Sequence, residues 1–147
     1  MIRLFLLQIL VIFLFLLNNS IASNQNIFED AKLYFDKKDY NKSKFLFQKF
    51  LVFNPKDHLS YLYLAKIFKE ENNKNEEEKN LNTTLLLDPK NEEALFMLIE
   101  LQLEKSNFSK AKELNEMFLL VCSNLCNNKS IIAEKIKNLE PKENTNQ

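Results

Sequence analysis

Residues 34–55 read YFDKKDYNKSKFLFQKFLVFNP. The stretch holds the end of one amphipathic helix, a tight turn at Lys38-Asp39, a second amphipathic helix, and a stop at Asn54-Pro55. In the second helix Tyr40, Ser43, Phe47 and Phe50 fall three and four apart, the spacing that lines side chains along one packed stripe. Phe45, Leu46, Leu51 and Val52 widen the apolar surface, which predicts a helix covered on more than one side. Moved 34 residues along the chain, the design recurs: Pro55 is followed by Pro89, and Ile27 by Tyr61 and then Leu95. A fixed period of that length marks a helical solenoid, in which each unit buries its apolar face against its neighbours.

The first repeat, residues 24–56, sets Ile27, Asp30, Ala31 and Tyr34 on one helix and Ser43, Phe47 and Pro55 on and after the next. In the second, residues 58–90, Tyr61, Leu64, Ala65 and Phe68 match well, and Leu81, Thr84 and Pro89 fall in place. The third, residues 92–123, is degenerate: Leu95, Leu98, Phe108 and Ala111 hold the pattern, while Ile99, Asn115 and Ser123 depart from it. This pattern resembles the tetratricopeptide repeat, whose signature is W-x2-L-G-x2-Y, then A-x3-F, then P. The resemblance implies an all-α fold, an α-solenoid of three antiparallel helix pairs forming a superhelix. Ile132, Ile136 and Leu139 describe a capping helix over residues 128–140, stopped by Pro141, and residues 141–147 read as a disordered tail. Helices are expected to meet near Lys38, Pro55, Asn72, Pro89, Asn107 and Asn127. Glu77 stands where the family has a small residue at the close helix contact, so a local irregularity or a late helix start is expected around Glu76 to Glu78.

Composition bounds the rest. Residues 1–22 carry Arg3 as their only charge and an apolar run from Leu4 to Leu17 broken by Gln8, ending in Ser20-Ile21-Ala22. These are the parts of a secretory signal cut between Ala22 and Ser23, placing the protein in the periplasm; an uncleaved inner-membrane anchor is the alternative. Arg3 is the only arginine and the net charge is zero, so nucleic acid is not an expected partner. The chain has no glycine, which excludes Gly-rich phosphate loops and leaves Asn, Asp and Lys to make the turns.

No catalytic, cofactor or metal set emerges. His58 is the sole histidine, and although Asp57 beside it can in principle orient a base, the pair reads as the start of a helix. One His and two Cys do not make a zinc site. Cys122 and Cys126, in an exported chain, are expected to pair, with the helix ending between them; two buried thiols are the alternative. Asn41, Asn82, Asn107 and Asn128 head glycan-type triplets that arise by chance in so Asn-rich a chain.

The family resemblance assigns the first helix of each repeat to a concave binding groove. Its outward residues are Phe28, Lys32 and Phe35, then Leu62, Tyr63, Lys66 and Lys69, then Phe96, Met97, Glu100 and Leu103. In so short an array the same residues can instead fill a closed core. The relatives that clamp a chaperone's C-terminal carboxylate use a Lys and Asn set, and Phe28 and Tyr63 stand at two of those places here. The expected ligand is therefore a protein or peptide with an apolar segment, held by a non-catalytic scaffold in envelope assembly or maintenance, and a membrane is a partner only if residues 1–22 are retained. Intact-mass measurement on protein from the native envelope should give a chain beginning at Ser23; a species that keeps residues 1–22 establishes the anchor instead.

Overall fold

A computed structural model of the chain describes residues 26–139. The expected signal or anchor and the expected tail lie outside the described residues. Helix α1 covers 26–36, followed by α2 (Tyr40–Phe53), α3 (His58–Glu70), α4 (Lys74–Leu87), α5 (Glu92–Glu104), α6 (Phe108–Val121), a 3-10 turn at Cys126–Asn128 and α7 (Lys129–Leu139). No strand occurs among the described residues. The chain divides into two compact units, Met1–Lys56 and Asp57–Gln147. The first unit carries the pair α1 and α2; the second carries α3 with α4, α5 with α6, and α7.

Each pair is closed by the same turn. Lys38, Asn72 and Ser106, 34 residues apart, adopt left-handed backbone at φ 59°, 54° and 57°. After each of them the next amide reaches back over the turn: Asp39 N–H donates to the Tyr34 carbonyl at 2.9 Å, Asn73 to Phe68 at 2.9 Å and Asn107 to Gln102 at 2.8 Å. That bond satisfies a carbonyl left open at the helix end. The same three residues then turn their side chains forward as N-caps, accepting from Lys42, Glu76 and Lys110 amides at 3.2, 3.3 and 3.4 Å. Asp57 and Asn91 cap α3 and α5 in the same way, at 2.7 and 3.0 Å.

In the first unit the two small residues meet. Ser43 Oγ donates to the Ala31 carbonyl at 2.9 Å, and both residues are fully buried. Phe28 packs on Phe47 and Phe50 with ring centres 5.6 and 5.4 Å apart, and Phe35 on Tyr40 at 5.7 Å. The wider burial expected of α2 holds only in part: Leu46 and Leu51 are half-buried, but Phe45 and Val52 are 62% and 75% exposed, and only Ser43 and Phe47 are fully enclosed.

The second unit has one continuous core. Leu62, Ala65, Leu81, Leu95, Leu98, Ile99, Ala111, Leu114 and Phe118 form it, and α7 adds Ile132 and Ile136 while Leu139 stays exposed. Helix α5 packs on α4, α6 and α7, which is why it is apolar on most of its circumference. Where the family has an aromatic, Gln102 is buried and bonded at both ends of its amide: its Nε2 donates to Glu78 at 2.8 Å and its Oε1 accepts from Asn107 at 3.0 Å. The irregularity expected around Glu77 does not occur. Helix α4 runs regularly from Lys74 with Asn73 as its cap, and Glu77 is buried inside it. No helix among the described residues is long and apolar enough to cross a membrane.

A non-glycine residue held in left-handed backbone costs on the order of 1 kcal/mol. Replacement Ser106→Gly should therefore raise the unfolding free energy by about 1 kcal/mol. Denaturant melts of the two proteins decide it, and an unchanged or lower midpoint would show that the turn carries no such strain.

Candidate functional site

The residues assigned to a groove divide in the structure. In the first unit, Phe28 and Phe35 are half-buried against α2, and Lys32 stands 3.3 Å from Glu29 and 5.8 Å from the Phe28 ring centre. In the second unit, Leu62, Met97 and Leu103 are no more than 6% exposed and belong to the core. Their assignment as outward residues is corrected: α5 is enclosed on several sides, and Leu62 on α3 joins the same apolar cluster. Phe96 is half-buried, its ring centre 6.4 Å from that of Phe118.

The remaining four are drawn together by charge. Lys66 Nζ lies 2.8 Å from Glu93 and 4.9 Å from the centre of the Tyr63 ring. Lys69 lies 3.3 Å from one Glu100 oxygen, and Lys135 of α7 lies 2.6 Å from the other. Burial alone would raise the Glu100 carboxyl, but the two ammonium groups outweigh it and hold the group below the usual carboxylate range. Ion pairs so exposed stabilise by only about 0–1 kcal/mol each, so their effect is to fix side-chain positions along α3, α5 and α7.

Beside this network opens a cavity of about 670 Å3. Leu59, Leu62, Phe96 and Leu125 give it an apolar lining, and Asp88, Glu92, Glu93 and Lys90 give it charge. The site is of a size that ordinarily takes a small ligand or a few side chains. Only Leu62 and Phe96 of its lining were legible as site residues. The others come from the ends of helices and from the connections between repeats, where the 34-residue pattern specifies little.

Glu92 fixes one wall. At the start of α5 its carboxylate accepts from the Leu125 amide at 2.8 Å, the Asn124 amide at 3.0 Å and Ser123 Oγ at 2.7 Å. Those bonds, that of the Leu125 amide foremost, hold the Glu92 carboxyl below its usual range. The loop so gripped lies between Cys122 and Cys126, which are paired with their Cα atoms 5.2 Å apart. Helix α6 stops at Val121, just ahead of the first cysteine rather than between the two. Asp57 spends its carboxylate on the Ser60 amide, and His58 Nδ1 stands 3.5 Å from Asp88 instead, so the two neighbours form no catalytic couple. Among the described residues no cluster of His, Cys, Asp and Glu is arranged to hold a metal ion.

No family model and no curated protein matches the chain. Solved structures do. The first tetratricopeptide repeat domain of Spaghetti bound to the HSP90 peptide SRMEEVD is 15% identical, with a TM-score of 0.70 over 79% of this chain and 94% of that one. The Arabidopsis OM64 tetratricopeptide repeat domain is 16% identical, with a TM-score of 0.70 over 79% and 95%. The Yersinia enterocolitica type III secretion chaperone SycD in complex with a peptide of the translocator YopD is 14% identical, with a TM-score of 0.68 over 78% and 90%. The fold of this chain is that of the tetratricopeptide repeat, an α-solenoid of three helix pairs with a C-terminal capping helix.

A low carboxyl pKa in the folded state means that Glu92 stabilises the loop above the ordinary carboxylate range and loses that effect as pH falls through its folded value. The Asn124 and Leu125 amides should be protected from hydrogen exchange at neutral pH and lose protection on acidification. In Glu92→Ala they should exchange freely at both. Equal protection in the two proteins would show that the loop is held by other means.

Proposed function

We propose that this chain is a non-catalytic repeat scaffold that holds an apolar segment of a protein or peptide against α3 and α5. The cavity lined by Leu59, Leu62, Phe96 and Leu125 is the observation that carries the reading. It offers apolar surface to an anchor side chain, with Tyr63 and Lys66 on the same helix as two of its lining residues. Two structures of similar fold hold peptides, one from HSP90 and one from YopD, which supports a peptide as the ligand class. An acidic tail suits this site poorly. Asp88, Glu92 and Glu93 stand against the single cation Lys90 around the cavity, and Lys66 already faces Glu93.

The place of action we propose is the cell envelope, with residues 1–22 as an export signal and the scaffold serving assembly or maintenance there. The apolar run from Leu4 to Leu17 also favours a second reading, in which that segment stays as a membrane anchor and the repeats recruit partners at the membrane face.

Panning the protein against a library of short extended peptides should enrich sequences with an apolar anchor. The double change Tyr63→Ala with Lys66→Ala should weaken their capture by roughly tenfold or more, the loss expected of an interface hot spot, at an unchanged melting temperature. A lowered melting temperature with capture intact would show that these residues belong to the structure and not to the binding face.

A further inference from the structure

The outer face of α2 keeps large apolar side chains in water. Phe45, Val52 and Phe53 are 62%, 75% and 61% exposed. Phe45, Lys49 and Val52 follow at spacings of four and three, so they lie in one row along the helix, on the side away from the buried Ser43 and Phe47, with Phe53 beside the row. Single exposed apolar residues are ordinary, but three on one face of one helix mark a surface that something covers.

The charge on the same face selects what covers it. From Tyr40 to Lys56 the chain has four lysines, Lys42, Lys44, Lys49 and Lys56, and neither Asp nor Glu. Lys42 stands 4.0 Å from the centre of the Tyr34 ring, within the field of Asp39 and Asp30. Asp57, the next acid along the chain, spends its carboxylate on the Ser60 amide. Lys49 sits between Phe45 and Val52 in the row, and Lys56 follows the helix; both are exposed. One and two repeats on, the combination is lost. Leu86 and Leu120 are exposed at the place of Val52, but Lys79 and Glu113 stand where Phe45 does, α4 carries Glu76, Glu77 and Glu78, and α6 carries Glu113 and Glu116.

A basic, acid-free helix face with aromatic and aliphatic side chains among its lysines complements a surface that is anionic outside and apolar beneath. A lipid headgroup layer has that order: phosphates meet the ammonium groups, the acyl boundary takes Phe and Val, and the lysine stems bridge the two. The outer side of a single helix is convex, and a fluid layer moulds to it where a folded partner would need a matching groove. We propose that the outer face of α2 is a docking surface for an anionic lipid bilayer. Phe45, Val52 and Phe53 enter the headgroup region, and Lys49 and Lys56 face its phosphates. This surface is separate from the peptide site on α3 and α5, and it makes a membrane a partner whether or not residues 1–22 are kept.

The chain has no tryptophan, so Phe45→Trp places a single fluorescent reporter on the face. The full chain carrying it is mixed with vesicles of equal parts phosphatidylglycerol and phosphatidylcholine, or of phosphatidylcholine alone. The anionic vesicles should shift the emission to the blue and brominated acyl chains should quench it, while neutral vesicles do so far less and added salt reverses the effect. Lys49→Glu with Lys56→Glu, added to the reporter protein, should lower the ratio of docked to free reporter roughly tenfold or more at an unchanged melting temperature. Val52→Ser should lower it as well, through the apolar part alone. A separate reporter, Leu86→Trp, should stay unshifted, which distinguishes docking of α2 from lipid binding by residues 1–22. No shift with anionic vesicles, an equal shift with neutral ones, or a shift shared by both reporters overturns the proposal. An equal shift with polyglutamate assigns the face to an acidic protein instead. A lipid-free shift that grows with protein concentration assigns it to a second copy, and blue emission without lipid at every concentration assigns it to another segment of this chain; each of these also overturns the proposal.

Discussion

The turn that closes each helix pair constrains everything else in this chain. With no glycine to take left-handed backbone, Lys38, Asn72 and Ser106 take it instead, and the residue after each reverses direction twice. Its amide finishes the helix behind and its side chain caps the helix ahead. Three residues thereby fix how the second helix leaves the first. Small groups sit at the closest approach in the first pair, where Ala31 lies against Ser43, and Ala65 and Ala111 are also fully buried, although Glu77 and Ile99 hold small-residue positions in the later pairs and are buried there. Because the turn repeats at 34 residues, the buried stripe repeats with it, and a solenoid follows from a local rule applied three times.

That rule was legible in the sequence because it is local. The Asn-Pro and Asp-Pro stops, the turns near Lys38, Asn72 and Asn107 and the spacing of three and four all act within one or two helical turns. Contacts between repeats are different. Glu92 grips Ser123 to Leu125 across more than thirty residues, and Gln102 binds Glu78 across 24. No periodicity announces either bond, since each is a departure from the repeat. The overestimated cover of α2 has the same origin: Phe45 and Val52 satisfy an apolar pattern but lie outside the stripe that the pairing buries.

Glu77 shows where a pattern argument stops and an energetic one begins. A carboxylate at a position for a small residue suggested a broken helix, on the ground that burying it is costly. The structure keeps both the regular helix and the burial, with Glu77 at a cavity that Lys69 and Lys74 also line. Backbone hydrogen bonds in the first turns of a capped helix are harder to give up than one side chain is to accommodate.

The division of the expected groove into core and surface has a similar cause. An outward position on the first helix of a repeat is free only if the array is long enough for other elements to cover the core, and here α7 and the 3-10 turn follow directly on the last pair. Leu62, Met97 and Leu103 are therefore taken into the apolar cluster, while Tyr63, Lys66, Lys69 and Glu100 keep some solvent access. The exposed side of α3 and α5 becomes a line of paired charges, and apolar contact is concentrated in the cavity walled by the loop that Glu92 holds. A short repeat array thus places its binding chemistry at helix ends and connections. There the repeat pattern is least strict, and residues are freest to differ from one repeat to the next.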